Sequence, residues 1–437
     1  QQMEMLWTIA ICLDSAELAQ MFNYSISLLI LCWIYIIGKK NNLSELEQLI
    51  AMILFYSIST VSSISSSGNI EMGAALFFIS GLYLLIKFFD NFYWPDLIIS
   101  GILFGMYAAT KLPFIAMVLI LLPFIIVTLK NKKRTIIFSF KTVVVFYASV
   151  FTFCSFWYFW SFYHTGNPVY PFLIKYFGGF ELNWSGLVDS EVKSFDYAFS
   201  HLKRLPKEYL VHLWHLIIRP QVHANGHINP LFIALIPFLL IKPIRKQQGL
   251  IQILQVSFLF YIMWVSLYPQ IRIALPMFAI LTIPLSKTIF YLSNSIKKIK
   301  YVFILFLISF CLIIILNNSK NLANKIPYLV GKDTIHDFYD KPSIVSTYNL
   351  QSYNAIKFMN SNLPNGSKVL LWPNTGFLLD HEFINCIDFL LIMADHEKVF
   401  KANKVIEELG KYNITHVAMN DNYMRKKLKT TLEETGS

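Results

Sequence analysis

The stretch KKIKYVFILFLISFCLIIIL, residues 297–316, decides the fold because it joins a basic cluster to a long run without charged side chains. The run approaches the roughly 20 residues that an apolar helix needs to cross a bilayer. A second run, ISLLILCWIYIIG at 26–38, likewise adjoins basic residues, Lys39 and Lys40. The pattern predicts an α-helical polytopic membrane protein.

Similar runs recur along the chain and predict about ten membrane spans. We expect a transmembrane domain over 1–317 and a soluble domain over 318–437, with a long connection at 161–228 between the sixth and seventh spans. The expected spans are 20–38, 49–64, 72–88, 95–110, 114–129, 138–160, 229–241, 250–268, 273–292 and 301–317.

The composition supports this class. Hydrophobic residues make up 55% of the chain and charged residues 14%, against about 25% charged residues in soluble proteins. The mean hydropathy is +0.51. The formal net charge of +11 does not indicate nucleic-acid binding, because the basic residues lie largely at helix ends and in the last third of the chain.

Clustered Lys and Arg occupy alternate connections between the apolar runs. Since cytoplasmic connections carry such residues, the connection 161–228 and the C-terminal region are expected on the opposite, extracytoplasmic side of the plasma (inner) membrane. The clusters are Lys39 and Lys40, Lys87, KNKKR at 130–134, KPIRKQQ at 242–248 and KKIK at 297–300.

The C-terminal region changes in composition and predicts a small α/β domain. A helix before the Pro-Asn-Gly turn at 364–366, the strand KVLLW, a helix at about 401–409 and the strand THVAM follow one another. Alternating helices and strands favour partly parallel pairing. Neither a G-x-G-x-x-G nor a Walker sequence occurs, so nucleotide binding is not supported.

Cysteine and histidine spacing predicts no metal site. No C-x-x-C pair occurs. His212 and His215 are spaced for one helix face, but a zinc site needs further ligands and an orienting shell. The segment 203–219 instead resembles an amphipathic helix lying in the membrane interface. No cofactor is therefore expected, and a requirement for a divalent metal is left open.

The segment HTGNPVYPF at 164–172 follows an apolar, aromatic-rich run and cannot continue as a helix, because it contains one Gly and two Pro residues. It is either a helix-ending turn with interfacial aromatic residues or a polar rim of a substrate cavity. In the second interpretation, His164, Asn167 and Tyr170 line the rim.

Four segments together resemble the bacterial GT-C superfamily of membrane glycosyltransferases, including the lipid A aminoarabinose transferases and protein O-mannosyltransferases. The similarity covers essentially the whole chain, and no single motif decides it. The segments are GNPVYPF at 166–172, GILFGMYAATKLPFIA at 101–116, QIRIALP at 270–276 and GKYNITHVAMND at 410–421.

The resemblance implies an inverting hexosyl- or pentosyltransferase that moves a sugar from a polyprenyl-phosphate donor. The acceptor would be a lipid, glycan or protein on the outer face of the membrane, among membrane lipids. A lipid-linked saccharide transporter is the alternative, and about ten spans would suffice for it. The broken-helix repeats common in transporters are not evident in the sequence.

Two isolated basic residues fit the donor phosphate, since a departing phosphate gains negative charge and needs cations beside it. Lys111 and Arg272 lie at expected outer helix ends, away from the cytoplasmic clusters. Lys111 could alternatively extend its amino group to the interface. Arg272 could bind a phosphate with two parallel hydrogen bonds, which Lys cannot do.

Glu71 and Glu4 are the candidate catalytic carboxylates. Glu71 begins an expected span, where the helix dipole also favours an acidic residue without any catalytic role. Glu4 lies in the segment QQMEMLWTIAICL at 1–13, which enters mid-helix and suggests an N-terminally truncated or processed chain. The resemblance places the principal catalytic acid in a first outer loop upstream of this sequence.

Overall fold

The computed structural model describes residues 2–13, 16–65, 67, 69–111, 114–170, 174–178, 206–218, 228–267, 269–295, 300–318, 327, 330–332, 334, 347–371, 379–385 and 410–418. The chain forms two compact units. The first contains Gln1–Val169 and Phe195–Lys320, and the second contains Tyr170–Ser194 and Asn321–Ser437.

The described residues are mainly helical. The helices are α1 (Gln2–Leu13), α2 (Ala16–Lys40), α3 (Glu45–Tyr56), α4 (Ser59–Ser65), α5 (Glu71–Asn91), α6 (Trp94–Thr110), α7 (Phe114–Leu119), α8 (Leu121–Asn131), α9 (Ile136–Thr165), α10 (Ile174–Phe177), α11 (Pro206–Ile218), α12 (Leu231–Leu235), α13 (Lys242–Arg245), α14 (Gln248–Leu267), α15 (Leu275–Ser295), α16 (Lys300–Asn318) and α17 (Thr347–Asn362), with 3-10 turns at Ile236–Phe238 and Ile271–Ala274.

The first unit is a bundle of membrane-spanning helices. Within the described ranges, six helical segments are long and apolar enough to cross a bilayer, and α3 with α4, bent by 76°, makes up to seven. Helix α6 has 17 residues, and the apolar part of α16 is similarly short. The polytopic α-helical class is thereby confirmed, whereas about ten spans stays a prediction. The six segments are Leu18–Lys40, Glu71–Asn91, Phe114–Asn131, Ile136–Thr165, Gln248–Leu267 and Ile271–Asn294.

The expected span at 229–241 differs most from its prediction. It forms the five-residue helix α12 followed by the 3-10 turn Ile236–Phe238. Pro230 caps this helix and Pro237 lies within the turn. Proline supplies no amide hydrogen and blocks the preceding helical turn, so this apolar run does not continue as one helix.

Helix α15 lies at the centre of the bundle. The segment Ile271–Asn294 is 89% buried over its most apolar part, whereas Ile136–Thr165 is only 17% buried and lies at the periphery. Helix α15 packs against α3, α5 and α14, and α6 packs between α5 and α9. The residues just before α15 therefore lie at one end of the bundle, and those in its last turns lie at the other end.

The charged residues near the ends of α5 mark two ends of the bundle. Asp90, in the last turn of α5, forms ion pairs with Lys40 and Lys132, whose Nζ atoms lie 2.9 Å and 3.9 Å from its carboxylate oxygens. Glu71 begins the same helix, about 30 Å away by the helical rise. We call the end that contains Asp90 the basic end, and the end that contains Glu71 the Glu71 end.

The second unit contains a small parallel sheet. Strand β1 (Lys368–Leu371) pairs with β2 (Glu382–Asn385) on one side and with β3 (His416–Ala418) on the other, both in parallel. Helix α17 precedes β1 and is joined to it through Gly366, whose φ of +85° suits glycine. The helix expected at 401–409 lies outside the described residues.

Candidate functional site

Glu71 is buried at the start of α5, with 2% of its surface exposed. The preceding turn is held by Asn23 of α2, whose Nδ2 donates to the carbonyl oxygens of Ile64 at 2.7 Å and Ser67 at 2.5 Å. Asn23 is itself fully buried. Asn23 thereby ties the serine-rich connection to α2 immediately before Glu71.

Lys111 reaches Glu71 from the end of α6. Its backbone is extended, with φ −154° and ψ 136°, where the chain leaves the helix ahead of Pro113. Lys111 Nζ lies 3.4 Å from Glu71 Oε1.

Arg272 reaches the same carboxylate oxygen from the 3-10 turn before α15. Its Nε lies 3.4 Å from Glu71 Oε1 and donates to Gln270 Oε1 at 2.8 Å. The backbone oxygen of Gln270 accepts a hydrogen bond from Trp264 Nε1 at 2.7 Å. Buried Ile271 and Ile273 anchor the turn on both sides of Arg272.

These three residues form what we call the triad, and it carries one surplus positive charge. Two cations flank one carboxylate, whose side chain is 3% exposed, against 30% for Lys111 and 36% for Arg272. Among the residues that the structure describes, the terminal guanidinium nitrogens of Arg272 have no hydrogen-bond partner. The exposed sides of both cations can therefore receive an anion.

Glu4 lies on an exposed part of α1 near the same end of the bundle. The side chain of its neighbour Met3 occupies the space that a Cβ would need at Gly73, two residues after Glu71. The backbone oxygen of Glu4 accepts a hydrogen bond from Thr8 Oγ1 at 2.9 Å. The structure thus brings the helix that carries Glu4 to the start of α5, and the catalytic role of Glu4 stays a prediction.

The 164–170 turn ends α9 as the prolines and glycine predict. Gly166 adopts φ +71° at the helix end. Asn167 is fully buried, and its Oδ1 accepts the Val169 amide at 2.9 Å. The ring of His164 lies against Trp160, with centroids 4.3 Å apart. Asn167 therefore shapes the turn, and a cavity-rim role for His164, Asn167 and Tyr170 stays a prediction.

A long apolar groove, which the sequence did not reveal, lies between α11, α12, α14 and α15. Its volume is about 930 Å³, and Trp264 is among its lining residues. Since Trp264 bonds to Gln270, the groove wall is joined to the residue that holds Arg272. Other lining residues are Leu213, Phe232, Leu239, Leu254, Phe258 and Phe278.

His212 contributes to the wall behind this groove. It is buried, and its ring meets Trp264 edge-on with centroids 5.2 Å apart. Within the described part of the chain, no three His, Cys, Asp or Glu side chains are grouped closely enough to hold a metal ion. His212 therefore has an evident packing role.

Comparisons with protein-family models, curated proteins and solved structures found no significant match for this chain. The functional interpretation therefore depends on the chemistry of the triad and the groove beside it.

Proposed function

We propose that this protein is a membrane glycosyltransferase that moves a sugar from a polyprenyl-phosphate donor to an acceptor at the Glu71 end of the bundle. The observation that carries the proposal is the triad, in which Lys111 and Arg272 share the buried Glu71 carboxylate. An unmatched cation at the end of an apolar bundle suits an anionic group attached to a lipid.

The surplus charge matches the donor phosphate. A sugar linked to a lipid through one phosphate is a phosphodiester with a single negative charge, which one surplus positive charge balances. When the sugar leaves, the phosphate gains further charge, and nearby cations stabilise that developing charge. The planar guanidinium of Arg272 can hold two phosphate oxygens at once.

The groove offers a place for the apolar tail of the donor. Its 930 Å³ volume is within the size range of ligand sites. It borders α14 from Ile251 to Trp264, which is about 20 Å of helix. Trp264 lies in the groove wall and bonds to Gln270, which in turn bonds to Arg272. The phosphate of a polyprenyl chain that leaves the groove beside Trp264 would therefore lie near Arg272.

The proposed reaction is a single displacement. The acceptor oxygen or nitrogen attacks the anomeric carbon, the bond from that carbon to the phosphate oxygen breaks, and the configuration inverts. A carboxylate takes the acceptor's proton. Glu71 and Glu4 are the candidates in this chain. Because Glu71 is almost fully buried, it also has a positioning role, in which it holds the two cations side by side.

Arg272→Lys tests the proposal because it keeps the positive charge and removes the planar guanidinium group, which can donate two parallel hydrogen bonds. We expect labelled polyprenyl-phosphate sugar to remain bound, while transfer of the sugar to acceptors in native membranes falls about tenfold or more. Arg134→Lys at the basic end is the matched control and should leave transfer unchanged. Undiminished transfer in Arg272→Lys would exclude the two-bond role of Arg272.

A lipid-linked saccharide transporter is the second candidate, favoured by the length of the groove. The two functions differ in the fate of the sugar–phosphate bond. A transferase cleaves it and leaves polyprenyl phosphate, whereas a transporter delivers the intact donor across a proteoliposome membrane. Intact donor on the far side, with transport that Arg272→Lys does not reduce, would support the transporter and contradict the transferase.

A further inference from the structure

A second polar cavity lies at the basic end of the bundle, outside the triad and the groove. Its volume is about 550 Å³, and it opens between the end of α2, the start of α3, Pro243 of α13 and the last turns of α15. Its polar lining residues are Lys39, Asn42, Ser44, Glu47, Lys287 and Asn294.

Glu47, which lines this cavity, already has a partner that balances its charge. Glu47 is 2% exposed, and its two oxygens lie 3.1 Å and 3.2 Å from Lys287 Nζ. Glu47 Oε2 also accepts the backbone amide of Ser44 at 2.7 Å and the Ser44 hydroxyl at 3.0 Å. Glu47 therefore cancels Lys287 and leaves other positive charges at the cavity unmatched.

Lys39 supplies the unmatched charge. It lies in the last turn of α2 with an exposed side chain and has no ion pair with any residue that the structure describes. A further cation lies beside the cavity, because Lys300 Nζ sits 4.2 Å from the ring centre of Phe290, a lining residue. The cavity thus favours an anion.

The cavity walls point to a lipid headgroup as the source of that anion. Leu43, Pro243, Phe290 and Tyr291 supply apolar and aromatic surface beside the charged groups. Tyr291 is 42% exposed, as is usual for aromatic residues at the level of lipid headgroups. Basic pockets between spanning helices commonly hold anionic headgroups.

We propose that this cavity binds the phosphate of an anionic membrane lipid, with Lys39 as the principal cation and Lys287 as a second donor beside it. Arg272 and Lys287 are carried by one continuous span, about 20 Å apart along its axis. The headgroup site is therefore distinct from the triad, and it does not depend on the proposed transferase activity.

Lys39→Gln tests this site in the full chain, purified in a neutral detergent. The measurement is native mass spectrometry with added phosphatidylglycerol, phosphatidylcholine or inorganic phosphate. We expect phosphatidylglycerol to bind more tightly than phosphatidylcholine and Lys39→Gln to weaken its binding about fivefold. Lys130→Gln is the matched control, because Lys130 is also an exposed lysine in the last turn of a helix at the basic end.

The outcomes separate the lipid from other sources of phosphate. Equal binding of the two lipids, or equal losses in Lys39→Gln and Lys130→Gln, would overturn the site. Inorganic phosphate that displaces phosphatidylglycerol at a similar concentration would show a soluble anion site and overturn the lipid assignment. Lys287 is left intact throughout, because its removal would leave Glu47 buried without its cation.

Discussion

Two buried carboxylates, one at each end of the bundle, are bound by cations from the same span. Glu71 contacts Arg272, and Glu47 contacts Lys287. Each glutamate is 2% exposed, and a charge buried so deeply costs several kcal/mol unless it is paired. These contacts therefore link folding of the central span to both polar sites.

Replacement of Lys287 by Met should destabilise the protein by about 3–5 kcal/mol, because Glu47, which is 2% exposed, would lose the cation that pairs with it. Lys287 is itself 19% exposed along its side chain, so solvent screening would place the loss toward the lower end of that range. The measurement is denaturant-induced unfolding of the full chain in detergent.

The double variant Glu47→Leu with Lys287→Met is the matched control. It removes both charges and should recover most of the lost stability, because apolar replacements of a buried pair are often tolerated. Equal stability of the single and double variants would contradict the importance of the uncompensated charge.

At this scale the sequence indicated which residues to consider but not their arrangement. Lys111 and Arg272 stood out as isolated charges near expected helix ends, and Glu71 as an acidic residue at a helix start. Their meeting at one oxygen depends on which helices are neighbours, and a single sequence does not specify this. Asn23 and Gln270 carried no signal, because their importance comes only from bonds to distant segments.

At the scale of elements, α6 is held against α9 by two glycines spaced four residues apart. A Cβ at Gly101 would lie 2.6 Å from Ser149 Cβ, and one at Gly105 would lie 2.5 Å from the backbone oxygen of Val150. Small residues at this spacing let helix backbones approach closely within a membrane. Lys111 follows directly after this helix, so its position depends on the contact.

Gly105→Val should separate α6 from α9 and destabilise the protein by about 3 kcal/mol, because the new methyl groups would meet backbone that cannot rotate away. Thermal unfolding in detergent measures the loss. Ile99→Val, at an exposed position of the same helix, is the control and should unfold close to the original temperature. A similar change in both variants would show that the close approach contributes little.

Hydropathy indicated the helices that run without interruption, but it did not indicate where a helix bends. The expected span at 49–64 is bent by 76° between α3 and α4. Ser57 lies at this bend, and its hydroxyl accepts a hydrogen bond from Asn229 at 2.7 Å. A hydropathy pattern indicates neither this bend nor the hydrogen bond between Ser57 and Asn229, which are far apart in the sequence.

At the scale of the whole molecule, the two ends of the bundle differ in how many exposed basic residues they carry. The basic end carries exposed Lys39, Lys130 and Lys133, whereas the other end presents two cations beside Glu71. An abundance of exposed Lys and Arg marks the side of a membrane protein that stays in the cytoplasm. The triad is therefore expected on the extracytoplasmic side, where a lipid-linked sugar donor would be used.

Single cysteines test this orientation in intact cells, in a chain whose five native cysteines have been replaced. A cysteine in place of His164, at the exposed end of α9, should react with a membrane-impermeant thiol reagent. One in place of Lys133, in the exposed turn after α8, should react only after the cells are opened. Asn365→Cys in the second unit should behave like His164→Cys if the C-terminal region is extracytoplasmic. The reverse pattern for His164 and Lys133 would place the triad in the cytoplasm and contradict a function on the outer face.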